Sequence, residues 1–544
     1  MSPRLSGTVL SVLVAVSASA AADEPLHVRI DRLIAARADG LPASARSHDA
    51  EFLRRVWLDL AGRIPAADEA RAFLADTSPD KRARLIDRLL AGPDFPRRMA
   101  DALHVMLMER RGDDAAWWAF LRRSIEAGRP MDRMVADMLR RDPADEASAG
   151  AEFFLTKRLE KYGENPVDYP GLTRDVGRLF LGVDLQCAQC HNHLFVDDYK
   201  QRDFQGLFAF FRNASVGKSP KGAAMVVEKP LEGRLDFSSV FDQEQMSTWP
   251  RLPGGQEIPA PAFKKGEEYR VPPDPKTRTP GVPKFSPLEE LSRRLPTADN
   301  AAFARNMANR LWFLMTGRGL VHPLDLHHSA NPPSHPELLR LLAKEFAAGG
   351  FDVRRLLREI ALSDTYQRSG LLADPAREPP PEKFLTAQEK GLSAEQLYRS
   401  VLRATGTPDP DDPAPKQKPA GSDDPPPDPR HLRARFVKAF AAPAGEPEVE
   451  FAPSLKSALF VLHDEQMLSL LRPRPGNLID RLMRLPDPDA AAEELYLSVL
   501  SRRPVAEERA EVRATLERHP DRRAEALGRL AWALLASTEF CVNH

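Results

Sequence analysis

The chain has 544 residues, 42% of them apolar and 28% charged, with 77 lysines and arginines against 78 aspartates and glutamates. At roughly 150 residues per domain this is enough for about three or four packed units, and the balanced charge creates no field that would gather nucleic acid or an anionic membrane surface. Fifty prolines, nearly twice the usual share of about 5%, imply long irregular stretches.

The first 22 residues combine a basic start at Arg4, an apolar run from Val9 to Val16 and a small-residue tail from Ser17 to Ala22, the layout of a cleaved export signal. That run is well short of the ~20 residues that span a bilayer, and no later segment approaches the length. The expectation is an exported protein, periplasmic or at the cell surface, with no transmembrane span after cleavage. From 24 to 145 helix follows helix: Phe52, Leu53, Val56, Trp57 and Leu60 share one helical face, and Leu85, Ile86, Leu89 and Leu90 repeat the pattern after Ser78-Pro79-Asp80.

Between 214 and 285 the helical period disappears, and short runs such as Ala224 to Val227 suggest strands in a loop-rich insertion. Periodicity returns with Phe303, Met307, Leu311 and Leu314, then with Val353, Leu356, Leu357 and Ile360. Residues 407–429 carry nine prolines and cannot bury a core, so they read as a linker or mobile loop. From 431 onward the chain is helical again. The fold class is therefore mainly α. The expected units are a signal at 1–22, a helical domain at 23–213, a loop and β insertion at 214–285, and a helical C-terminal domain at 286–544 interrupted by the linker.

Only Cys187, Cys190 and Cys541 are present, too few for a disulfide scaffold, so cysteine marks a site. Cys187-Ala188-Gln189-Cys190-His191 is the C-x-x-C-H pattern of c-type haem attachment: two thiols on one turn meet the two vinyl groups, and the adjacent imidazole faces the iron. Phe195, Tyr199, Phe204, Phe208, Phe210 and Phe211 follow closely and read either as an apolar wall for haem or as the core face of a helix. Three alternatives compete. A thioredoxin-like pair lacks its βαβ context, a zinc or iron site would use Cys187, Cys190, His191 and His193, and a plain disulfide would join Cys187 to Cys190.

A further axial or metal ligand is sought among His322, His327, His328 and His335, with Met307 and Met315 just upstream; the competing reading is a polar loop before a helix start. This reasoning predicts that the loop 321–335 faces the motif 187–193. His104, His431 and His463 read as packing or surface residues. No Walker A, H-E-x-x-H, G-x-S-x-G or dinucleotide fingerprint occurs, so no catalytic residue is assigned.

The run Leu181-Gly182-Val183-Asp184-Leu185-Gln186 leading into the motif, with Asn192-His193, Asp203-Phe204-Gln205-Gly206-Leu207 and Phe210-Phe211 after it, resembles the planctomycete cytochrome-c-like domain family of exported bacterial proteins. Ile30-Asp31-Arg32-Leu33 and Arg54 to Pro65 are similar to its opening helices. Asn309-Arg310-Leu311-Trp312, Gly317-Arg318-Gly319-Leu320-Val321, Asn331 to Leu338, Ser363-Asp364-Thr365-Tyr366-Gln367 and Trp532 to Phe540 resemble the domain of unknown function that usually accompanies it. Asn192, Leu194 and Asp325-Leu326 depart from the family's pattern, which tends to show Asp, Pro and paired acids there. The motif and the export signal together lead to an exported c-type haem protein with His191 as proximal ligand, in electron transfer or a haem-linked redox step, with an unidentified redox partner or extracellular substrate. The rival readings are a zinc or iron site on a binding or hydrolytic scaffold and a structural surface protein.

Overall fold

A computed structural model describes residues 24–219, 222–241, 243–277, 279–372, 374–410, 429–448, 457, 460 and 463–543. The expected signal at 1–22 and most of the expected linker at 407–429 lie outside the described residues. The fold is mainly α, as the periodicity implies: helices run from Leu26–Ala35 to Thr538–Cys541, and the strands form only two-stranded antiparallel sheets. Among the described residues no helix is long and apolar enough to cross a membrane.

The helix Asp49–Ala61 occupies the centre of the molecule. Its apolar residues Phe52, Leu53, Val56, Trp57 and Leu60 are buried, but so are Arg54, Arg55, Leu58 and Asp59, so it is enclosed on every side and not amphipathic. Buried charges need partners. Arg54 donates to the carbonyls of Phe540 at 2.7 Å and Glu539 at 3.1 Å. Arg55 donates to the carbonyls of Tyr366 and Arg368, each at 2.7 Å, and to Glu51 at 2.6 Å. The Asp59 carboxylate accepts from Lys390 Nζ at 2.7 Å, the Tyr366 hydroxyl at 2.8 Å and Asn543 Nδ2 at 2.9 Å. Lys390 also reaches the Met315 carbonyl at 2.8 Å, at the carbonyl end of the helix Ala301–Thr316, where a cation is favoured.

Two apolar cores surround this centre. The larger draws on Ile30 to Phe211 and again on Leu288 to Leu385, including Phe303, Met307, Leu311 and Trp312 from one helix and Val353, Leu356, Leu357 and Ile360 from another. The smaller gathers Leu392 to Phe540 with Leu58 and Ile64 of the N-terminal region. Within 214–285, Ala214–Lys218 pairs with Ala224–Glu228, Leu235–Ser238 with Gln245–Thr248, and Tyr269–Val271 with Val282–Pro283. The Ala224 to Val227 run is thus one side of a hairpin. A last short pair, Lys390–Gly391 with Val542–Asn543, brings the end of the described chain to Asp59.

Candidate functional site

The segment carrying the motif starts at the helix Tyr169–Val176, whose first turn is capped by Asp168 accepting from the Gly171 N–H. The helix widens into a π turn, Gly177–Leu181, and stops at Gly182 with φ 72°. A Cβ at Gly182 would lie 2.6 Å from His327 Cδ2 and 2.8 Å from Asn306 Oδ1, so this position requires glycine for both its conformation and its neighbours. Here the two halves of the chain meet: His327 donates its N–H to the Gly182 carbonyl at 2.9 Å, Asn306 Nδ2 to the Leu179 carbonyl at 2.9 Å, and Val183 bridges Leu326.

Cys187–Gln189 forms a single 3₁₀ turn. With about three residues per turn, positions i and i+3 eclipse, so Cys187 and Cys190 share one edge. Both are exposed free thiols, while Ala188 between them is buried as the anchor. The turn is held by Arg174 donating to the Gln189 side chain at 3.0 Å and by Gln205 donating to the Gln189 carbonyl at 2.9 Å. The insertion approaches from the other side: Val240 donates its N–H to the Cys190 carbonyl, and the Phe241 ring lies 4.6 Å from that of His191.

The two motif histidines have opposite polarity. His191 Nδ1 lies 2.6 Å from the Asn192 carbonyl, which can only accept, so Nδ1 carries the proton and the Nε2 lone pair is left available. His193 Nδ1 accepts from the N–H groups of Phe195 at 3.1 Å and Val196 at 3.0 Å, which places the proton of the neutral ring on Nε2. His193 therefore braces the turn after the motif, and in this arrangement it has no free lone pair for a metal. Asn192 accepts from the Gln201 N–H at 3.0 Å and serves the helix Gln201–Phe208.

The aromatic run divides. Phe204, Phe210 and Phe211 belong to the larger core, as the helical-face reading has it, and Phe208 packs against that core. Phe195 is 87% exposed and, with Leu194, Val240 and Phe241, forms an uncovered apolar rim around the motif. Sequence reasoning missed Val240 and Phe241, because nothing in an irregular insertion announces that it will return to a motif fifty residues upstream.

The loop 321–335 reaches this region only in part. The Tyr199 ring stands between those of His193, at 5.9 Å, and His328, at 5.4 Å, and the Ser329 N–H donates to Asp198. His327 is buried beside Asn309, His335 is buried against Phe384, and His322 lines a separate cavity. Met307 and Met315 are buried in the core. The four histidines thus occupy four different environments, and among the described residues no three His, Cys, Asp or Glu side chains converge as a metal-holding group. Asp325 is engaged by Arg178 at 3.0 Å and by Arg310. His104 accepts from Trp117 Nε1 at 3.1 Å and is a packing residue.

Burial holds three imidazoles neutral, pulling His327 down to about 3 and His104 and His335 to about 4, against about 6.5 in an unfolded chain. Between those values the unfolded chain binds more protons, so this contribution to stability is complete above about pH 6.5 and is lost as pH falls through the folded values. His327→Gln is expected to reduce the slope of unfolding free energy against pH by about 1.4 kcal/mol per unit between about pH 6 and about pH 4.5. Urea melts of both proteins at several pH values measure it. An unchanged slope would mean that His327 does not take up its proton on unfolding.

Two family models match the chain. PSCyt2, described as a protein of unknown function (DUF1549), matches residues 29–216, and PSD1, described as a protein of unknown function (DUF1553), matches residues 289–516. The first contains the cysteine motif and the second the histidine loop. No curated protein and no solved structure matches the chain.

Proposed function

We propose, with the joined PSCyt2 and PSD1 regions as the premise, that this chain is an exported c-type haem protein that passes single electrons to or from a partner outside the cytoplasm. The carrying observation is the exposed 3₁₀ turn: two thiols on one edge, an adjacent imidazole with Nε2 unprotonated, and a rim of Leu194, Phe195, Val240 and Phe241 left without cover. Side chains of that kind are usually packed away, and here they lie where an apolar ring would rest against them.

Each thiol would add across one vinyl group. The sulfur bonds one vinyl carbon, the thiol hydrogen ends on the other, and nothing is oxidised or reduced overall. The Asn192 carbonyl holds the His191 proton on Nδ1, so Nε2 would be free to hold the iron, as outer partners of ligating histidines arrange. The four rim residues would exclude water from one face. When bound, haem would supply a one-electron iron couple whose potential follows its axial ligands and burial. A zinc or iron site has less support, because His193 spends its lone pair on the backbone.

Protein matured with a haem-attachment system is expected to keep a haem stain after denaturation, with a mass increase of one haem per chain, since thioether links survive unfolding and axial bonds do not. Replacing both Cys187 and Cys190 by Ser should abolish the stain. His191→Ala should retain covalent pigment with an altered spectrum. Colourless wild-type protein from a host that matures a control cytochrome would reject the reading.

A further inference from the structure

Away from the motif lies a cavity of about 930 Å³, with none of residues 184–199 in its wall, near the upper end of the ~300–1,000 Å³ typical of small-molecule sites. It opens between the helix Asp94–Met108, the end of the helix Ala301–Thr316 and the strand Lys390–Gly391. Val105, Phe313, Leu324 and Phe440 give it apolar surface.

Most interior charges of this wall are already matched. Lys390 lies on Asp59 at 2.7 Å, Arg178 on Glu109 at 2.6 Å and on Asp325, and Asp101 on Arg399 at 2.9 Å. Glu389 and Glu446 sit at the exposed rim. Arg318 differs. Its guanidinium makes no hydrogen bond or ion pair with any described residue, it is only partly exposed, and its Nε is fully buried. That Nε is withdrawn from water without a partner, which is costly, and the planar guanidinium fork fits carboxylate or sulfate oxygens two at a time.

We infer that this cavity binds an organic anion, its carboxylate or sulfur-oxygen head seated on Arg318 and its body against the apolar wall. The inference is independent of the haem reading and holds for the chain with or without that group. Naphthalene-2-sulfonate and the neutral naphthalene-2-methanol share a ring and differ in charge, so fluorescence titration of the full chain with each isolates the head group. The sulfonate is expected to bind at least about tenfold more tightly, the usual scale of one charged hydrogen-bonded contact. Arg318→Met should bring it to the level of the alcohol, Arg318→Lys should keep part of the preference, and a change at the exposed Leu371, Leu371→Ser, outside the cavity and the motif, should leave both affinities as they are. Equal binding of the two probes by wild-type protein, no binding of either, an unaffected preference in Arg318→Met, or a preference lost in Leu371→Ser would each overturn the inference. The comparison of probes on the wild-type chain needs no variant to fold.

Discussion

Replacing Asp59 by alanine is expected to cost about 3–5 kcal/mol of folding stability, the scale for removing one partner of a buried ion pair. Asp59 is 1% exposed and its carboxylate accepts from three elements distant in sequence: Lys390, Tyr366 and Asn543. Without it the Lys390 ammonium keeps only helix-end carbonyls, Leu314 and Met315, as partners. Asp59→Asn should cost less, because the amide oxygen can still accept while the charge is gone. Adding Lys390→Met to Asp59→Ala should recover part of the loss, since the stranded cation is then removed. Urea unfolding of the four proteins measures this, and an Asp59→Ala loss below about 1 kcal/mol would put the pair among weak surface bridges.

Gly182→Ala is expected to cost about 2–5 kcal/mol, from about 1–2 for a side chain in the left-handed region and about 1–3 for displacing packed neighbours. Those neighbours are Asn306 and the His327 ring, both buried; the Asn306 amide donates to the Leu179 carbonyl, and the backbone N–H of His327 donates to the carbonyl of Gly182 itself. Gly128 supplies the comparison. It has φ 66° and nothing within 4 Å of an added Cβ, so Gly128→Ala should show only the conformational share, about 1–2 kcal/mol. Equal losses at the two glycines would mean that the contact between the halves yields freely.

What could be read beforehand follows from the range of the forces involved. The stripes Phe303, Met307, Leu311, Leu314 and Val353, Leu356, Leu357, Ile360 are local patterns, and each lies on the buried side of the helix it implies, with Leu314 only partly covered. The hairpin containing Ala224 to Val227 left a weaker local mark. The burial of Arg54, Asp59 and Lys390 left none, because a charged residue reads as surface until its partner is known, and these partners are hundreds of positions away. The histidines 322–335 illustrate the opposite difficulty. Proximity in sequence suggested a shared role, but an irregular loop turns successive side chains toward different neighbours, and one faces Tyr199 while another faces Phe384. The motif's residues and spacing were legible in the sequence. The opposite tautomers of its two imidazoles were not, since they depend on which backbone groups fold back upon them.

The contacts of Arg54 and Asp59 with residues 539–543 also set an order of events during synthesis. Asn543 emerges 484 positions after Asp59, which at about 5–20 residues per second is roughly 25–100 seconds later. Throughout that interval Arg54 lacks the Glu539 and Phe540 carbonyls, whereas Asp59 gains Tyr366 and Lys390 well before Asn543, so closing the apolar centre around the helix early would bury an unmatched cation at a penalty. A chain that ends before residue 539 would hold this helix with the Arg54 guanidinium still without those carbonyls.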